Sequence, residues 1–149
     1  MDPAALFSFG STLVLPGWLL LVFAPRWKWT TGLVTTVLIP VALGIVYIYL
    51  MATNFGNSEG GFGSLEEVTK LFSNPALVTA GWLHYLAFDM LVGSWIVRNA
   101  TQNGVPHLLV IPCLVLCFLA GPVGYVLYLV IRAVKTREIL MAPVSGGAS

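Results

Sequence analysis

Residues 75–97 read PALVTAGWLHYLAFDMLVGSWIV, an apolar run in which only His84 and Asp89 are ionisable at neutral pH. Wound as a helix at about 1.5 Å per residue, such a run reaches roughly 34 Å, enough to cross a hydrocarbon layer of about 30 Å. Asn74 before Pro75 gives it a defined start, an N-cap followed by proline at the first helical position. Outward from this run, residues 5–24, 31–53 and 106–132 form three more apolar stretches of comparable length. None shows the ten-residue alternation of a membrane barrel strand. The pattern predicts an all-α integral membrane bundle, one domain over residues 1–149, built from four kinked transmembrane helices.

Composition points the same way. Hydrophobic residues make up 58% of the 149 residues and charged residues 9%, against about 25% charged in an ordinary soluble domain. So few charges cannot clothe a water-soluble surface, and a net charge of +1 offers no field for nucleic acid. Pro16, Pro40, Pro112 and Pro122 fall inside the apolar stretches, where each removes a backbone donor and predicts a kink. Cys113 and Cys117 share a helix face, where neither a disulfide nor a zinc site suits their spacing, and read as small buried hydrophobes. The start Met1-Asp2-Pro3 lacks a basic n-region, so no removable signal is expected.

Between the second and third stretches lies a glycine-rich loop with no Lys-Ser/Thr after it, which argues against a phosphate loop. Ser64 and Glu67 then form a capping box, and Leu65, Val68, Leu71 and Phe72 share one face. This predicts a short interfacial helix over residues 65–73. Basic residues divide three against four between the two sides of a four-span bundle, which leaves the orientation undecided.

Ionisable groups at membrane depth are costly, about 2.5–3.5 kcal/mol on insertion scales, and are functional candidates by default. His84 and Asp89 stand about 140° apart around the helix. They flank an arc that contains Gly81, Tyr85, Phe88 and Val92, with Asn74 near the membrane surface. A cavity lined by that arc would present a carboxylate, an imidazole and a phenol, a workable acid/base set. The same groups could instead only bond neighbouring helices. A two-His-one-carboxylate metal set from His84, Asp89 and His107 is conceivable, but no pair at ligand spacing fixes it, and no metal is expected.

Phe72-Ser73, Gly81-Trp82-Leu83-His84 with Asp89, and the run from Cys117 to Gly121-Pro122-Val123-Gly124 resemble the plant abscisic-acid-deficient membrane protein family and its bacterial relatives. Phe9-Gly10-Ser11, Leu15-Pro16 and Ala24-Pro25 are similar to that family's first span. The resemblance implies a carotenoid isomerase, or a helper of one, since the plant members are required to form neoxanthin from violaxanthin. Opening an epoxide to an allene leaves the oxidation level unchanged, so the implied reaction needs an acid and a base and no cofactor. The resemblance implies Asp89 as base or cation stabiliser and His84 as proton donor, or the two roles exchanged, with Trp82, Tyr85, Phe88 and Asn74 around a hydrophobic isoprenoid. It implies a bacterial inner membrane, or a plastid membrane if a leader was removed. Two other classes fit the residues: a non-catalytic pigment or lipid binder, and a small transporter, which would need to form a homo-oligomer.

Overall fold

The computed structural model describes residues 2–138. Its order is α1 (Pro3–Phe23), a π-helical segment (Thr30–Leu38) continuous with α2 (Ile39–Asn54), a short 3-10 turn (Phe55–Asn57), α3 (Leu65–Leu71), α4 (Pro75–Gln102), α5 (His107–Ala120) and α6 (Pro122–Thr136). No strand occurs among the described residues.

Local chemistry sets the helix starts. Asp2 caps α1 by accepting from the amides of Ala4 and Ala5, ahead of Pro3. Asn74 caps α4 through Oδ1 to the Ala76 amide at 2.9 Å. Ser64 Oγ accepts from the Glu67 amide, and the Glu67 carboxylate reaches back to the Gly63 amide, so α3 forms where the capping box predicts it. Leu71 is its one buried side chain.

The π-helical segment follows from Pro40. A proline ring clashes with the carbonyl one α-turn back, and a wider turn relieves this. In that register the missing N–H of Pro40 would have served the Thr35 carbonyl, as Ile39 serves Val34. Ser94 Oγ on α4 sits beside this gap: it lies 2.7 Å from Thr35 Oγ1, 2.8 Å from the Met90 carbonyl and 3.3 Å from the Thr35 carbonyl. Thr35 Oγ1 in turn donates to the Thr30 carbonyl.

α1 and α4 run parallel. Thr79 Oγ1 bonds the Pro3 carbonyl, Trp82 Nε1 donates to Ser11 Oγ at 2.9 Å, and Gly93 packs under the Trp18 ring. α2 runs antiparallel to both, with Thr35 beside Ser94 and Tyr47 beside His84. Leu21, Leu43, Leu83, Met90 and Ile96 on these helices are fully buried, as is Leu114 on α5.

Three helices among the described residues are long and apolar enough to cross a membrane: Pro3–Phe23, Thr30–Asn57 and Pro75–Gln102. The expected fourth span, residues 106–132, is instead a hairpin. Gly121 takes φ 31° and ψ −87°, Pro122 cannot continue α5, and the chain reverses. α5 starts at the C-terminal end of α1, where His107 Nε2 meets the Val22 carbonyl at 2.9 Å. It descends past Trp18, whose ring meets Phe118 edge-on, to the level of Asp89. α6 then climbs back until Tyr128 donates to Asn99 Oδ1 at 2.6 Å. At about 1.5 Å per residue, α5 and α6 are each roughly 21–23 Å long, too short to span alone. Gly124 permits the reversal, because its Cα lies directly against the α5 backbone at Cys113 and Cys117.

A carboxylate at the tip of a helical hairpin

Asp89 sits midway along α4 and is 9% exposed. The hairpin tip closes over it. The Gly121 backbone lies so near that a Cβ there would come within 2.6 Å of Asp89 Oδ1. Cys117 Sγ, one turn before the tip, reaches the Asp89 backbone carbonyl at 3.7 Å. Tyr85 stands one turn earlier on the same side of α4 and is half-buried. Even so, Asp89 Oδ2 is buried with no hydrogen-bond partner. Burying such an oxygen is unfavourable unless something satisfies it, so this atom singles the position out.

The structure does not bring His84 to this site, although both residues were expected at one cavity. His84 is exposed and faces α2, its ring stacked on Phe88 at 4.4 Å and 5.7 Å from Tyr47. It lines a separate groove of about 190 Å³ with Tyr47, Phe62, Phe72 and Leu77. The reason is rotational: five residues along a helix carry a side chain to a different neighbour. Trp82 is held by its bond to Ser11 and stacks between Phe7 and Tyr85, at 5.1 and 5.4 Å. Phe88 is exposed at the outer rim. The Asn74 side-chain oxygen is engaged in capping α4. His107 bonds α1, and among the described residues no three His, Cys, Asp or Glu side chains gather as metal ligands.

Two larger grooves flank the hairpin. One, of about 470 Å³ between α4 and α6, is lined by Phe88, Leu91, Val92, Trp95 and Tyr125. The other, of about 500 Å³ between α1 and α5, is lined only by apolar side chains, Trp18, Leu114 and Phe118 among them. Both volumes fall within the roughly 300–1,000 Å³ of small-molecule sites. Sequence reasoning missed the part Gly121 plays in the site and the Thr35–Ser94 link. The i, i+4 spacing of Tyr85 and Asp89 was a visible sign that they share a face; the run Gly121-Pro122-Val123-Gly124 marked a break, without saying which residue Gly121 would meet.

Together these features define a class: a helical bundle of membrane-length apolar helices, with a buried carboxylate at the tip of a helical hairpin. The chain belongs to the ABA DEFICIENT 4-like family, whose model matches residues 5–128 and so includes Tyr85, Asp89 and the hairpin tip. It is similar to the chloroplastic protein ABA DEFICIENT 4 of Arabidopsis thaliana, 25% identical over 143 residues, which cover 91% of this chain and 64% of that protein. The chain thus spans somewhat less than two thirds of its relative's length. No solved structure matches it.

Proposed function

We propose that this protein is a membrane-embedded isomerase of a carotenoid or related isoprenoid, opening an epoxide to an allene by acid/base chemistry. The observation that carries the reading is the buried Asp89 carboxylate with its unpartnered Oδ2 at the hairpin tip. Family membership supports a substrate of this class. In the proposed reaction Asp89 takes the proton from the vinylic carbon or stabilises the cation, the epoxide C–O bond breaks, and the oxygen gains a proton. Atoms and electrons balance without an oxidant or a cofactor. We assign the donor's part to the Tyr85 phenol in place of His84, because Tyr85 stands one helical turn from Asp89 on the same side of α4. The groove walled by Phe88, Trp95 and Tyr125 suits a conjugated chain, and aromatic faces stabilise a developing carbocation. Exclusion of water protects such an intermediate. The proposed setting is a membrane, that of a plastid or the bacterial inner membrane.

The second reading is a non-catalytic pigment or lipid binder, and the wholly apolar groove between α1 and α5 favours it. One experiment separates the two. Membranes carrying equal amounts of each variant are supplied with epoxy-carotenoid, and the ratio of product to input is measured beside retained pigment. Asp89→Asn keeps size and polarity but removes basicity. It should cut turnover by about 10²-fold or more while pigment stays bound. Tyr85→Phe should behave alike. Unchanged turnover in Asp89→Asn overturns the isomerase reading, and loss of pigment only on widening the α1–α5 groove with Phe118→Ala supports the binder.

A further inference from the structure

The two ends of the bundle differ in charge, and the hairpin is the reason. Because α6 returns toward the C-terminal end of α4, Lys135 and Arg137 finish at the same end as the α1–α2 connection. Arg26, Lys28, Arg98, Arg132, Lys135 and Arg137, six of the seven cations, therefore gather at one end, with Glu138. The opposite end carries Asp2, Glu59, Glu66 and Glu67, with Lys70 paired to Glu66 at 2.8 Å. Arg132 is buried, whereas Arg26, Lys28 and Arg98 are exposed. Those three line one cleft of about 350 Å³ with Trp27, Thr31 and Gln102, and no carboxylate is among the lining residues. The Lys28 ammonium lies 5.2 Å from the Trp29 ring, and Trp27 and Trp29 are exposed beside the cleft, as suits an aromatic belt at the headgroup level.

We infer that this cleft binds the phosphate headgroup of an anionic lipid and that the cationic end of the bundle lies against an anionic leaflet. Three cations around one opening match a phosphodiester, whereas a choline headgroup brings an ammonium that they repel. Basic residues at a membrane surface each add to the attraction for anionic lipid, and their long side chains extend to headgroup level. The same asymmetry orients the chain. A short hairpin is tolerated at membrane depth because it is packed in protein, and the positive-inside rule then puts both the α1–α2 connection and residue 137 on the cytoplasmic side.

The test uses the full chain in detergent with equal parts of phosphatidylcholine and phosphatidylglycerol, and native mass spectrometry to count retained lipid. Phosphatidylglycerol should be retained in preference, and inorganic phosphate should not displace it. Lys28→Gln with Arg98→Gln should lower that preference about tenfold. Lys70→Gln at the opposite end should leave it unchanged, and helicity by circular dichroism confirms that each variant is folded. Equal retention of both lipids, or a preference unmoved by the double variant, overturns the site; displacement by inorganic phosphate shows a phosphate site and overturns the lipid assignment. In sealed vesicles, an impermeant maleimide should reach Lys28→Cys and Arg137→Cys from one side and Lys70→Cys from the other. Labelling of positions 28 and 137 from opposite sides overturns the orientation.

Discussion

Gly124→Ala tests the hairpin directly. A methyl group at this position would lie 2.2 Å from both the Cys113 carbonyl oxygen and the Cys117 amide nitrogen, and 2.6 Å from Cys117 Cα. All three are backbone atoms, so no rotamer change relieves the overlap, and α6 must move off α5 by roughly an ångström. Overpacking of this kind costs about 1–3 kcal/mol, and rigid partners argue for the upper end. The helix-propensity gain of alanine returns at most about 1 kcal/mol, leaving a net loss of about 2. Gly44→Ala is the matched control, because nothing lies within 4 Å of its Cβ position on the outer face of α2. That variant should gain about 0.5–1 kcal/mol. The two substitutions should therefore differ by about 3 kcal/mol, a factor of more than ~100 in the unfolding equilibrium. The assay is unfolding in mixed micelles by titration with dodecyl sulfate, followed by circular dichroism. Equal stability of the two variants would refute the reversal, since in one continuous helix over residues 106–132 Gly124 would not approach Cys113.

Two further substitutions probe the bundle. Ser94→Ala should cost about 1–2 kcal/mol in the same titration, because it removes the buried hydroxyl that joins α4 to Thr35 Oγ1; a loss below the error of the measurement would refute a role for this link in holding the π-helical segment. His84→Gln should retain turnover within about tenfold of the parent in the product-to-input assay, since the imidazole lies in the groove facing α2; a loss as large as that of Asp89→Asn would return the donor's role to His84.

Much of the fold was legible. The caps at Asn74 and Ser64 and the lengths of the first three spans follow from local composition, and they stand within a few residues of where the sequence predicts them. The α4 helix runs to Gln102, past the apolar run, because nothing between Val97 and Gln102 breaks a helix. The fourth span misled for a physical reason. A stretch of about 26 apolar residues satisfies the length criterion whether it crosses the bilayer or folds back inside it. Hydropathy records which solvent a residue tolerates and is blind to the direction in which the chain runs. The signal that distinguishes the two lay in Gly121-Pro122-Val123-Gly124, where one glycine supplies the positive φ and the second lets two backbones meet. A single proline does not end a helix, and Pro16 and Pro112 lie inside the continuous α1 and α5; the added pair of glycines permits a full reversal.

The same reversal made the candidate site hard to read. Helix periodicity alone ranks His84 and Asp89 as equal candidates, because it fixes the angle between them without saying what each one faces. Their difference comes from residues about thirty positions later: Gly121 arrives over Asp89, while His84 turns toward α2. Sidedness depends on the same event. With a fourth crossing, Arg132, Lys135 and Arg137 join Lys70 and the positive-inside count is nearly even. With a hairpin they join Arg26, Lys28 and Arg98, and the count becomes lopsided. A chain that must enter the bilayer in one orientation gains from that imbalance, which only the hairpin provides. The hairpin tip that closes over Asp89 and the gathering of six cations at one end of the bundle are therefore two consequences of one turn. Inserting a full further crossing at Gly121 should disturb both the turnover and the labelling side of residue 137. Loss of one without the other would show that the turn serves only half of this account.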